Sequence, residues 1–205
     1  MSNNIGIINY NSGNIFKLKH TLEKLGVKTI IISDIKDMNL CDKIVLPGVG
    51  SYSVSSRYLR AKKLDIEIKK FVKKNRPVLS ICLGFQLMLT SSEEDLKCKG
   101  LNLLKGKVKN LNTKLKKSKI PNIGWKKVDF TKNSNRFLRK FSGEKFYFAH
   151  SYFCDFTTML PSSYITIERQ KILSSLNKEN LFCYQFHPEM SGEIGVEVLR
   201  NFKDL

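Results

Sequence analysis

At 205 residues, with 41% apolar and 26% charged side chains, the chain can form one domain with a sizeable core and is too apolar to stay disordered. No window reaches the apolar length of a bilayer-spanning helix, and the opening residues MSNNIGIINYNSGN lack the regions of a signal peptide, so a soluble cytoplasmic protein is expected. A formal net charge of +18 invites nucleic acid, but the lysines are spread widely and no RNA-binding aromatic signature or recognition-helix pattern accompanies them. A solvated lysine surface is the simpler reading, and the densest run, Lys105 to Lys119, could at most dock an acidic partner.

The first 90 residues alternate strand and helix signals. NIGIINY reads as a strand, and from Asn14 the residues Ile15, Leu18, Leu22 and Leu25 recur at helical spacing until Gly26 stops them. VKTIII and KIVLPGVG read as the second and third strands, the latter ending in a Pro-Gly turn. Residues 56–75 predict one amphipathic helix carrying Leu59, Leu64, Ile68, Phe71 and Val72; RPVLSI predicts a fourth buried strand, and GFQLMLTSS starts a helix. Continuous apolar strands separated by helices imply a parallel sheet covered on both faces.

The second half is strand-like: LNLLKGKVKNL, GWKKVDF, EKFYFAHSYFCDF, SYITIE and LFCYQF, with a final helix over GEIGVEVLRNF. Pro161 and the lysine-rich stretch mark loops. The expectation is an α/β protein in a single domain spanning 1–205, with a central, largely parallel sheet flanked by helices and antiparallel strand additions in the second half.

Five cysteines, Cys41, Cys82, Cys98, Cys154 and Cys183, are an odd number without C-x-x-C spacing, which favours reduced thiols over disulfides or a zinc site. Cys82 stands apart. In SICLGFQLM it falls where a strand turns sharply into a helix, flanked by Ser80 and Gly84 as small-x-Cys-x-Gly. Such a bend pushes its central side chain outward, the helix start favours a thiolate, and the Leu83 amide would face a developing oxyanion. On this pattern alone, a buried helix-start cysteine is an equal alternative.

In YQFHPEM, Glu189 lies two residues beyond His187, where an extended chain returns to the same face and can hold the imidazole in one tautomer. In LPGVGSY, a Pro-Gly-x-Gly loop with Gly48 and Gly50 can turn its amides toward a ligand, so Val49 or Gly50 could supply a second oxyanion donor. Taken singly, these are a strand end and a turn.

Together the three stretches resemble the class I (triad) glutamine amidotransferases, through CLGFQ with its following Gln86 and through QFHPE. The resemblance implies that fold, a Cys82 nucleophile, His187 as acid and base and Glu189 as its orienter, hydrolysing L-glutamine through a thioester with no cofactor or metal. GIINYNSGNI, PGVGS, IPNIGWKKV and FYFAHSYF are similar to the glutaminase subunit of imidazole glycerol phosphate synthase. That likeness implies a heterodimer with a (β/α)₈-barrel cyclase for histidine synthesis. It also implies a glutamine pocket at Gly48, Gln86, His150, Ser151 and Tyr152, and a partner face at Asn14, Pro121, Gly124, Trp125 and Met190. The plainer alternatives make Trp125 a core aromatic, and Phe146, Phe148, Ser151 and Phe153 sheet residues without ligand contact. Departures from the family pattern are Asn9 and Asn11 in the first loop, Ser80 for a glycine and Met190 for a lysine. They leave open a paralogous subunit that supplies ammonia to a sugar-modifying synthetase in surface-polysaccharide biosynthesis.

Overall fold

Short runs of branched apolar residues form the first strands, and amphipathic segments between them form the helices. The computed structural model of the chain describes residues 4–11, 15–132, 134, 136–156 and 162–205. The first half places β1 (Asn4–Ile8), β2 (Lys28–Ile32), β3 (Lys43–Leu46) and β4 (Val78–Ile81) between helices α1 (Phe16–Lys24), α2 (Ile35–Met38), α3 (Tyr52–Ala61), α4 (Leu64–Lys73) and α5 (Leu83–Leu87). Next come β5 (Ser91–Ser92), β6 (Asp95–Lys99), β7 (Gly106–Asn110), β8 (Asn122–Lys127), β9 (Asp129–Phe130) and α6 (Arg136–Arg139). The chain continues through β10 (Lys145–His150), β11 (Tyr152–Phe156), β12 (Ser162–Ile167), β13 (Gln170–Lys178), β14 (Leu181–Tyr184) and α7 (Gly192–Lys203).

Among the described residues the main sheet has eight strands in the order β2-β1-β3-β4-β14-β13-β12-β9. The run from β2 to β14 is parallel, and β13, β12 and β9 continue it antiparallel. This is the expected α/β arrangement, with the antiparallel strands added from the second half. Side chains alternate across the sheet: Ile44 and Leu46 of β3 enter one core with Leu59, Ile68 and Phe85, while Val45 faces the other with Leu22, Leu199 and Phe202. Both faces are therefore covered, as parallel strands require. Two smaller sheets, β10-β8 and β11-β7-β5-β6, lie outside it.

Several elements differ from expectation for local reasons. The helix expected over 56–75 is two, because the chain turns at Lys63 with φ of 56°, between α3 and α4. After Gly84 the helix lasts only to Leu87, and the chain returns as a strand at Ser91. EKFYFAHSYFCDF is two strands in different sheets, separated at Ser151. β13 escapes the apolar pattern because its centre is Ser174 and Ser175; both hydroxyls lie within hydrogen-bond reach of Ser163 on β12, at 2.6 and 2.7 Å. α2 carries little apolar signal and is fixed instead by a capping box between Asp34 and Asp37. The positions predicted at Asn14 and Pro161 lie outside the described residues.

Candidate active site

β4 runs between β3 and β14 in the middle of the sheet, and Cys82 is the residue at its end. Its φ of 43° and ψ of −101° are unfavourable for a side chain that carries a Cβ, so the surroundings must hold it there. The Cys82 amide donates to the Tyr184 carbonyl at 2.6 Å, and the Gly84 amide donates to the Pro47 carbonyl at 3.2 Å. A Cβ at Gly84 would lie 2.2 Å from the Leu46 carbonyl oxygen, so only glycine lets the turn press against β3. Ser80, in place of the expected glycine, is fully buried and donates its hydroxyl to the Phe182 carbonyl at 3.4 Å. At five residues, α5 supplies little macrodipole. The nearer donor is the Leu83 amide, which has no hydrogen-bond partner among the described residues.

His187 leaves the sheet three residues after β14. Its amide donates to the Tyr147 carbonyl at 2.9 Å, and the Ser191 hydroxyl donates to its carbonyl at 2.6 Å. Pro188–Met190 is a 3₁₀ turn, not the extended segment expected, because proline at its first position fixes a helical φ. The turn still brings Glu189 Oε1 to 2.8 Å from His187 Nδ1, with both side chains nearly buried. Nδ1–H thus donates to the carboxylate, which leaves Nε2 as the ring nitrogen available to Cys82. Burial opposes charge on the imidazole, but the negative charge Cys82 can carry and the Glu189 carboxylate outweigh it and raise the His187 pKa to about 11. The His187 imidazole is therefore held toward its protonated form. A Cβ at Gly48 would sit 2.6 Å from His187 Cε1 and 3.0 Å from Cys82 Cβ, so the loop after β3 closes directly over both.

Above the pair is a pocket of about 400 Å³. It is lined by Gly48, Val49 and Gly50 of the loop after β3, by Leu83 and Gln86 after Cys82, and by Ala149, Ser151 and Tyr152 where β10 passes to β11. His150 also lines it but is engaged on both sides: Nδ1–H donates to the Tyr152 carbonyl at 2.8 Å and Nε2 accepts from Asn122 at 2.9 Å. Burial lowers its pKa to about 4, so it is a neutral buttress of the wall. Gln86 donates to the Tyr152 carbonyl at 3.2 Å, tying α5 to β11. Phe146, Phe148 and Phe153 are core residues, whereas Ser151 reaches the pocket.

Three residues emerge only from the structure. Glu94 lines the pocket and accepts from the Ser51 hydroxyl at 2.8 Å and the Tyr52 amide at 2.9 Å. Asn122 fixes His150, and Gln185 places its Nε2 at 3.3 Å from Cys82 Sγ. Glu94 sits in SSEED, an acidic cluster in a basic chain, and Gln185 opens the QFHPE stretch; those were the available signals. On the expected partner face, Trp125 is 51% and Met190 43% exposed, so Trp125 is not a core aromatic. Its ring meets Tyr147 edge-on at 6.1 Å, beside the exposed Ile123 and Pro121 and the half-buried Gly124. Trp125, Glu189 and Met190 border a separate cleft of about 1070 Å³ between α1 and α7. Asn14 belongs to the residues not described.

A family model described as glutamine amidotransferase class-I matches residues 6–205. The chain belongs to this family. The subunit HisH of imidazole glycerol phosphate synthase from Chlorobium chlorochromatii is 38% identical over 97% of this chain and 98% of its own length. The subunit of the same name from Listeria innocua is 35% identical over 98% and 95%. PurLQS from Thermotoga maritima superposes with a TM-score of 0.70 over 100% of this chain and 99% of that one at 21% identity, a likeness of fold. A glutamine amidotransferase from the same organism gives 0.66 at 18% identity, over 100% of this chain and 84% of its own.

Proposed function

We infer that the chain, acting as a single domain over residues 1–205, is the glutaminase subunit of an imidazole glycerol phosphate synthase in histidine biosynthesis. The observation that carries the reading is the meeting of Cys82, His187 and Glu189 beneath a pocket sized for one free amino acid. Cys82 sulfur attacks the carboxamide carbon of L-glutamine, and the resulting oxyanion is held by the Leu83 amide and an amide of the loop at Val49 or Gly50. His187 hands its proton to the departing ammonia, leaving a glutamyl thioester on Cys82. It then takes a proton from water, which opens the thioester, releases glutamate and restores the sulfur. Glu189 keeps the imidazole oriented throughout. Glu94, the one carboxylate among the described residues that line the pocket, complements the α-ammonium of glutamine, while Gln86, Ser151 and Tyr152 contact the rest of its backbone.

The ammonia is used on a partner, a (β/α)₈-barrel cyclase docked over Trp125 and Met190, since ammonia freed into water would be protonated and lost. Met190 gives this face an apolar contact where a lysine was expected. The sugar-modifying alternative is not favoured: relatives from four organisms, matched over nearly their whole length, carry the name of the imidazole glycerol phosphate synthase subunit. Five free cysteines suit a reducing cytoplasm. The test is to mix the purified chain with the cyclase subunit from the same source and follow glutamate release. A stable complex with glutaminase activity raised well above that of the chain alone is expected. No binding to the cyclase, or equal turnover by the chain alone, would overturn the assignment.

A further inference from the structure

Gln185 is fully buried and precedes the histidine by two residues, yet nothing in the mechanism above uses it. Its orientation is fixed by a chain of hydrogen bonds. The Tyr152 carbonyl can only accept, so Gln86 presents its Nε2 there at 3.2 Å, and the same nitrogen lies 3.5 Å from Gln185 Oε1. Oε1 of Gln185 therefore faces a donor, which leaves its Nε2–H directed at Cys82 Sγ, at 3.3 Å. The Gln185 amide donates to the Ser174 carbonyl at 2.8 Å, so the side chain starts from an anchored backbone.

We propose that Gln185 is a catalytic residue that donates a permanent neutral hydrogen bond to the Cys82 sulfur, stabilising it as attacking thiolate and again as leaving thiolate. The role rests on the glutaminase reading of Cys82. Gln185 donates to the sulfur in the structure, and in the glutaminase reading His187 serves it as well; the two differ in kind. His187 loses its proton to ammonia during acylation and has none to offer when water attacks; Gln185 never titrates and keeps its N–H on the sulfur in both half-reactions. A carboxamide suits this place because it supplies a donor to sulfur and an acceptor to Gln86 without burying a charge. Hydrogen bonds to an ionised acceptor are stronger than neutral ones, so the contribution falls on the thiolate forms.

The test is Gln185→Met, close in shape and without the donor. Iodoacetamide labelling of Cys82 in the intact chain, followed by peptide mapping, reads the thiolate without needing a partner or glutamine. At neutral pH the variant should label about tenfold more slowly, with its pH profile displaced to higher pH and its thermal midpoint little changed. In the partner complex kcat should fall by a similar factor with KM nearly constant. A folded variant that labels at the wild-type rate with an unmoved profile overturns the proposal; a purely structural Gln185 would give that result. Should the variant not fold, the isotope-labelled side-chain amide of Gln185 in the wild-type chain supplies the answer. Its resonance should step with the ionisation of Cys82 and lose that step in Cys82→Ala, and absence of the step overturns the role. If wild-type Cys82 labels no faster than an ordinary thiol, the glutaminase reading fails as well; normal Cys82 reactivity with an indifferent Gln185→Met removes this inference alone.

Discussion

The elbow at Cys82 and the turn at His187 hold their side chains by different means. At the elbow, backbone does the holding: a central strand, an amide hydrogen bond to the Tyr184 carbonyl of β14, and a glycine pressed against the β3 carbonyl keep one residue at positive φ. At the turn, side chains do it: Glu189 grips the imidazole, and Ser191 joins the His187 carbonyl to the Tyr147 amide, accepting the latter at 3.0 Å. Cys82 is thus fixed by the sheet itself, whereas His187 is fixed by replaceable polar contacts. Substitutions around the turn should therefore grade activity, and substitutions at the elbow should abolish either chemistry or fold.

The sharpest contrast is among Cys82, His187 and Glu189. In the partner complex, Cys82→Ala should lower glutamine-dependent product formation by about ten-thousand-fold or more while leaving use of added ammonia intact. His187→Ala should approach that loss. Glu189→Gln should be milder, because an amide oxygen can still accept from Nδ1–H, and steady-state glutamate release would rank the three. A Glu189→Gln defect exceeding that of His187→Ala would break the comparison.

Further out, Trp125→Ala should weaken binding to the cyclase by about tenfold or more, as loss of an exposed aromatic anchor does. Titration calorimetry reads this directly, and the variant's labelling of Cys82 by iodoacetamide should stay normal. Ser191→Ala removes one support of the turn but none of the reacting atoms, so kcat should fall by about tenfold or less at unchanged KM.

The smallest effect concerns His150, which belongs to neither region but braces the wall between them. Its folded pKa is lowered to about 4, below the ordinary histidine value. Between these values the unfolded chain binds a proton that the folded chain refuses, so stability is intact above the unfolded pKa and declines as pH falls toward 4. From pH 7 to pH 5 this group should cost about 2 kcal/mol. Urea unfolding of wild type and His150→Gln at both pH values would show a smaller acid loss in the variant.

The same contrast explains what could be read from the sequence. Strands β1 to β4 and the elbow are local: an apolar run, a small residue, a cysteine and a glycine in sequence order. The His–Glu pair was legible as a contact, though its geometry was not, since a proline-led turn and an extended strand give the same two-residue spacing. Gln185 and Asn122 were invisible as site residues because their partners, Cys82 and His150, lie far along the chain and meet them only through strand pairing. Trp125 could be core or surface on its sequence; the pairing of β8 with β10, outside the main sheet, decides for the surface. The two-helix break at Lys63 had no turn residue to announce it, because a lysine there adopts the backbone usually left to glycine.

The central claim is that glutamine is opened on Cys82. The most direct measurement mixes the partner complex with carbon-labelled glutamine, quenches in acid during turnover, and maps the label by peptide digestion. A labile glutamyl thioester is expected on the peptide containing Cys82, absent from Cys82→Ala. Continued glutamate release with no label on Cys82, or with label on another residue, would contradict it.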